Sequence, residues 1–177
     1  NFNNLPLTYY QDNNIVLSIP WATDLLPDEI KKNIKKFDLN NLKNESHFVG
    51  SKWEDNNIIS ISNVDILNTF EIECKKKKIP FKIHNNISEE ENFNLISNTL
   101  YNISLQMDWQ VKHNYIPCRI FKNISYGSIP VTNNKAVHKI LDKKSLFEED
   151  YDNIIDKIDN YIKDKNNDYF KKIMKNI

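Results

Sequence analysis

The sequence predicts an α/β domain, a Rossmann-like and mostly parallel sheet of five or six short strands with helices on both faces. Three observations carry this. From residue 46 onward, short apolar runs alternate with segments whose apolar residues recur at helical spacing, as a parallel sheet with crossover helices requires. The helical segments carry start and stop signals: Asn63, Ser88 and Pro117 at beginnings, Pro80 and Gly127 at ends. The helix begun at Pro117 stops at Gly127 and runs straight into a buried strand over residues 129–132.

Taken in order, residues 15–20 form an extended apolar run, and two prolines with no helical period then make a strand leading into a linker up to Pro27. Residues 28–43 are a Lys/Asn-rich connection with a helical turn or two between Ile30 and Phe37. His47, Phe48 and Val49 are the first short strand of the alternating part, ended by Gly50. Asn63 caps a helix through Val64, Leu67, Phe70 and Cys74, which closes on four lysines suited to a helix C-terminus before Pro80. Residues 81–84 are the next strand. Ser88 and Glu91 make a capping box for a helix through Phe93 and Ile96. Residues 100–105 are a third strand, and residues 106–114 a loop. After the central helix and strand come helices at 135–141, from about 148 through Ile154, Ile155, Ile158 and Ile162, and near 170–173.

Composition narrows the function classes. The 177 residues hold 24 basic and 24 acidic side chains, so the basic excess of a nucleic-acid binder is missing. No apolar run approaches the roughly 20 residues of a membrane span. Cys74 and Cys118 are too few for a disulfide framework and fit a reducing, cytoplasmic setting, free or at the periphery of a membrane. His47, His84, His113 and His138 stand singly, without carboxylate or cysteine partners at ligand spacing, so no metal site and no cofactor is expected. The two glycines are far apart and exclude a dinucleotide fingerprint, and neither a Walker loop nor a Gly-x-Ser-x-Gly elbow occurs.

Scarcity then points to a site. The chain is rich in Asn, Lys and Ile, as an AT-rich genome produces. It has one arginine, Arg119, and only two glycines, Gly50 and Gly127, where a frequency of about 7% would give roughly twelve. Where such a chain keeps these residues, backbone geometry or chemistry demands them. On a helical wheel, Ile116, Ile120, Phe121 and Ile124 gather on one side of the central helix. Arg119, Lys122, Asn123 and Tyr126 gather on the other. Two cations and two hydrogen-bonding groups near a helix N-terminus suit a phosphate-bearing ligand, or else form a solvated basic face. Ligands of parallel sheets bind beyond the carboxyl ends of the strands, here residues 50–53, 84–86, 106–115 and 132–134. This edge supplies Gly50, Ser51, His113 and Tyr115 beside Arg119, Lys122 and Asn123. It also supplies Trp53, His84, Gln106, Thr132 and Asn133 as candidate contacts for a base or sugar.

The run from Pro117 to Val131, with Arg119, Phe121, Lys122 and Gly127, resembles the pattern Arg-x-Phe-Glu, four residues, Gly and an apolar strand. That pattern is typical of the C-terminal half of GT-B glycosyltransferases, hexosyl- or fucosyl-transferring. Phe48-Val-Gly-Ser51 resembles the opening strand and glycine turn of that half, and residues 18–23 resemble the segment joining the two halves. The resemblance implies that residues 1–27 lead in from an N-terminal half and that residues 28–177 form the donor-binding domain. It implies metal-independent binding of a nucleotide-diphosphate sugar, UDP- or GDP-linked, and transfer to a glycan, lipid or protein acceptor. By position, Gly50 and Arg119 would meet the diphosphate. Lys122 departs from the pattern, which places there a glutamate that holds the ribose hydroxyls; lysine cannot accept those bonds, and Asn123 is the nearest acceptor. The catalytic base is not assigned. The alternative is a non-catalytic α/β module, flavodoxin-like or a degenerate GT-B half, that binds a partner or a nucleotide-sugar without transfer.

Overall fold

The computed structural model describes residues 23–52, 54–55, 61–150 and 153–176. The expected strand at 15–20 and the candidate Trp53 lie outside the described residues. The described residues begin with α1 (Pro27–Lys36), continue through β1 (Ser46–Val49) and a small antiparallel pair, β2 (Glu54–Asp55) with β3 (Ile61–Ser62), then alternate. There follow α2 (Val64–Lys76), β4 (Phe81–His84), α3 (Glu89–Ser97), β5 (Ile103–Ser104), α4 (Asp108–Lys112) and α5 (Cys118–Ser125). The last elements are β6 (Val131–Thr132), α6 (Lys135–Ile140), β7 (Leu146–Phe147), α7 (Ile154–Lys163) and α8 (Asn167–Lys175). This is the expected α/β architecture with small parallel sheets. β1 pairs with β4, and β5, β6 and β7 pair in that order, all in parallel.

The two parallel sheets meet edge to edge where they begin. Lys43 and Thr99 form a parallel bridge, the Tyr101 N–H donates to Glu45 O at 3.3 Å, and Ser46 Oγ donates to Tyr101 O at 2.8 Å. The strands therefore run β4-β1-β5-β6-β7 across the molecule. From β1 the chain moves outward through α2 to β4, then crosses back over β1 through α3 to β5 and continues the other way. The strand order reverses between β1 and β5. Beyond Tyr101, no backbone bond joins the two strands among the described residues, so their carboxyl ends part.

Alternation along β1 places helices on both faces. Phe48 faces Ile66 and Leu67 of α2, whereas His47 and Val49 face α3 and α5. The core runs through both layers, with Leu67, Phe70, Ile120, Val131, Val137, Ile154 and Ile158 all but inaccessible. Among the described residues no helix is long and apolar enough to cross a membrane.

Several local expectations meet their physical reason here. Ser88 Oγ accepts from the Glu91 N–H at 3.1 Å, as its capping role requires. Pro117 is extended (φ −79°, ψ 149°) and stands just outside α5 rather than as its first residue. Gly127 ends that helix at φ +85°, and a Cβ there would lie 3.1 Å from Asn33 O of α1. The wheel's polar face is only partly polar in fact: Asn123 is buried against β5, and Tyr126 is buried where residues 23–26 and α1 cover the end of α5. Thr23 Oγ1 and Ser125 Oγ are 2.6 Å apart, Asn33 Nδ2 donates to Ser125 O, and Tyr126 OH donates to the Asp24 carboxylate at 3.2 Å.

Candidate anion crevice at Arg119

Arg119 lies where β1 and β5 part. Its guanidinium donates from Nη2 to Val49 O at 3.1 Å, and its central carbon sits 4.3 Å from the centroid of the Phe48 ring. Burial pushes its pKa below the usual guanidinium range, although it stays a cation at any physiological pH. Among the described residues no carboxylate pairs with it. A half-buried cation with no counter-charge among the described residues is costly, and such groups occur where a ligand supplies the charge.

Two cavities flank this side chain. One, of about 150 Å³, is lined by His47, Val49, Ile103, Cys118, Lys122 and Asn123 together with Arg119 and two residues of α3. The other, of about 80 Å³ on the opposite face of the sheet, is lined by Phe48, Asn63, Leu105, Met107 and Gln110 among others, and again by Arg119. Each is smaller than the ~300 Å³ of ordinary small-molecule pockets, a size that suits a compact anionic group rather than a whole ligand. Gly50, at φ +147°, keeps the mouth open: a Cβ there would lie 3.1 Å from the Phe48 ring and 3.2 Å from Arg119 Nη2.

The other anticipated residues fall into two sets. Lys122 lines the first cavity, but its Nζ lies 3.6 Å from the Asp24 carboxylate. Burial works to raise the Asp24 pKa, and its own backbone N–H, Lys122 and Tyr126 together outweigh this and hold it below the ordinary range. Asn123 lines the same cavity while its Nδ2 donates to Asn102 O at 3.1 Å, tying α5 to β5. Ser51 is exposed at the mouth, and its carbonyl accepts from Asn63 Nδ2 at 2.8 Å.

The second set braces the loop after β5. Gln106 and Asn133 exchange backbone and side-chain bonds at 2.9 and 2.8 Å, and Gln106 Nε2 and Asn134 Nδ2 both donate to Tyr115 O. Thr132 is fully buried, with its Oγ1 accepting from the Asn134 N–H. Gln106, Thr132 and Asn133 thus hold the scaffold of the edge, and the side chain of Tyr115 is exposed beside it. His113 is exposed just past the end of α4, its ring tilted against Trp109 at 4.7 Å between centroids.

One group differs from its expected isolation. His47 and His84, paired through neighbouring strands, are joined at 2.9 Å between Nδ1 and Nε2, and His47 Nε2 lies 3.3 Å from Glu45 Oε2. Glu45 and His47 are two apart on an extended segment and so share a face, a signal present in the sequence; the partnership with His84 depends on the β1–β4 register. Phe48, beneath the guanidinium, and Cys118, at the start of α5, are further members of the crevice that residue scarcity did not single out. Comparison of the chain with protein-family models, curated proteins and solved structures finds no match in any of the three.

Proposed function

We propose that this chain is the donor-binding part of a GT-B glycosyltransferase. In this reading a nucleotide-diphosphate sugar, UDP- or GDP-linked, seats its diphosphate against Arg119, for transfer of the sugar to a glycan, lipid or protein acceptor. The observation that carries the reading is Arg119 itself: a guanidinium without a carboxylate partner among the described residues, shared by two small cavities at the point where the strand order reverses. Supporting it are the N-terminus of α5, whose free N–H groups and dipole favour an anion at the same place, and Gly50, whose missing side chain lets backbone come close. The size of the cavities fits the diphosphate, with base and sugar lying in the open cleft beyond the strand ends. Lys122 adds positive charge only in part, because Asp24 already accompanies it.

The test is calorimetry and thermal shift of the purified chain against UDP-, GDP-, ADP-, CMP- and TDP-sugars at about pH 8, where histidine is neutral. One nucleotide class should bind and raise the melting temperature, and Arg119→Met should lose that binding. Silence across the whole set, with the chain folded, would refute the reading and leave the partner-binding module.

A further inference from the structure

The geometry points to a proton-coupled anion site: His47 and His84 form a single-proton centre whose charge strengthens binding of an oxyanion at Arg119. This rests on the Arg119 crevice being an anion site, and not on the ligand being a nucleotide-sugar.

The hydrogen-bond pattern sets the proton capacity. Glu45, as a carboxylate, can only accept, so the Nε2 of His47 carries a hydrogen toward it. In the neutral pair the Nδ1 of His47 is then bare and accepts from Nε2–H of His84 across 2.9 Å. The remaining nitrogen, Nδ1 of His84, is the place where a proton can enter without breaking either bond. A second proton would put hydrogens on both nitrogens of the 2.9 Å contact and rupture it. The pair therefore takes one proton, and the hydrogen between the rings can lie on either side.

Placement couples this proton to the crevice. His47 lines the larger cavity together with Val49, whose carbonyl holds Arg119. Val49 is the register partner of His84, and the Gly50 N–H donates to His84 O at 2.9 Å. The charged and titratable groups around the pair are Glu45 ahead of β1, Lys82 on β4, and Cys118, Arg119 and Lys122 on α5. From α3 the cavity receives Asn92 and Ile96, both uncharged, and the exposed Glu89, Glu90 and Glu91 make no ion pair with either ring among the described residues. With Asp24, which accompanies Lys122, counted, the three cations Lys82, Arg119 and Lys122 stand against two carboxylates, Glu45 and Asp24. An empty crevice disfavours the imidazolium; an oxyanion on Arg119 reverses that balance. By linkage, proton and anion each strengthen the other's binding by the same factor.

Sulfate is the probe, since its charge does not change in this range. Its affinity for the full chain is measured by NMR titration at constant ionic strength between about pH 8 and about pH 5.5. The expected result is a tightening of about fivefold or more toward low pH, a typical size for such coupling. In the double variant His47→Gln/His84→Gln the affinity should stay at its high-pH value throughout, and in Arg119→Met sulfate binding should be lost at every pH. Should the double variant fail to fold, the ring signals of the unmodified chain serve instead: saturating sulfate should raise the titration midpoint of the pair. A pH-independent affinity, an unchanged slope in the double variant, an unmoved midpoint, or no sulfate binding at all would overturn the inference. The nucleotide-sugar screen is run at the single pH of about 8, so its outcome is separate from this one.

Discussion

Replacing Arg119 by methionine removes the guanidinium but keeps an unbranched stem over the Phe48 ring. Without ligand the side chain contributes one charge-assisted bond to Val49 O and one cation–π contact. Hydrogen bonds to charged groups contribute about 1.5–3 kcal/mol and exposed cation–π contacts about 0.5–1 kcal/mol. Opposing these is the release of a half-buried cation that has no carboxylate partner among the described residues, and water in the cavity can replace the lost donor at Val49 O. The net cost to the free protein should be about 1–2 kcal/mol, or roughly 2–8 °C in melting temperature for a chain of this size. Ligand binding should suffer more. Removing one member of a buried charge-assisted pair commonly costs about 2–5 kcal/mol, at least a thirtyfold loss of affinity. Urea denaturation gives the first number, and calorimetry with the best nucleotide from the screen gives the second. A stability loss of the expected size with affinity within about threefold of the original would refute the reasoning and make Arg119 a strut between α5 and β1. Arg119→Lys should fall between the two, because a point charge cannot replace the planar fork.

The two glycines should respond differently. Gly50→Ala forces a side chain into a φ of +147° against Phe48 and Arg119, so stability should fall by about 1–3 kcal/mol and anion affinity with it, read by urea melts and calorimetry. Gly127→Ala meets α1 backbone at 3.1 Å and should cost a similar ~1–3 kcal/mol, while the folded fraction keeps full affinity. Burial, and then the His84 charge, hold the His47 pKa below 6.5, so the unfolded chain binds that proton more readily than the folded one. Its contribution is fully present above about pH 6.5 and is lost as pH falls, by at most about 1.4 kcal/mol per pH unit per proton. His138, also depressed by burial, adds to the same slope; His47→Gln should flatten it in part, as measured by urea melts between about pH 7.5 and pH 5.

Elements with local chemical signals were legible in the sequence. Pro80, Phe81 and His84 delimit β4, and Ser88 caps α3, because turn chemistry and capping act within a few residues; Asn63 does precede α2, but its side chain makes no cap bond and donates to Ser51 O instead. What depends on distant partners was not legible. The ten residues of α1 offer only Ile30 and Ile34 as an apolar face, and Phe37 just beyond its end, so its helicity rests on packing against α5 and α8. β7 is two residues long, and α4 fills a segment read as loop with five residues. Asn123 and Tyr126 fell on the polar side of a wheel that cannot show that β5 receives the one and residues 23–26 cover the other. The pairing of His47 with His84 is a matter of register between strands 35 positions apart, which no local pattern encodes.

The scarcity of Arg and Gly therefore has three separate physical origins. Gly127 answers a backbone demand, a left-handed turn pressed against α1, and would be required whatever the domain did. Gly50 answers a demand for space, since its absent side chain is what separates the β1 turn from the guanidinium. Arg119 cannot be reduced to a structural demand in the same way. A neutral donor could satisfy Val49 O and an aliphatic residue could cover Phe48, at no desolvation cost. Lysine, with 23 copies elsewhere in the chain, could supply positive charge. Only arginine can bond a carbonyl with one N–H, lie flat on a ring, and still direct further N–H groups into two cavities from a fixed plane. Its contribution to the free protein, about 1–2 kcal/mol, is smaller than the about 2–5 kcal/mol it should contribute to a bound oxyanion, the balance expected of a binding residue.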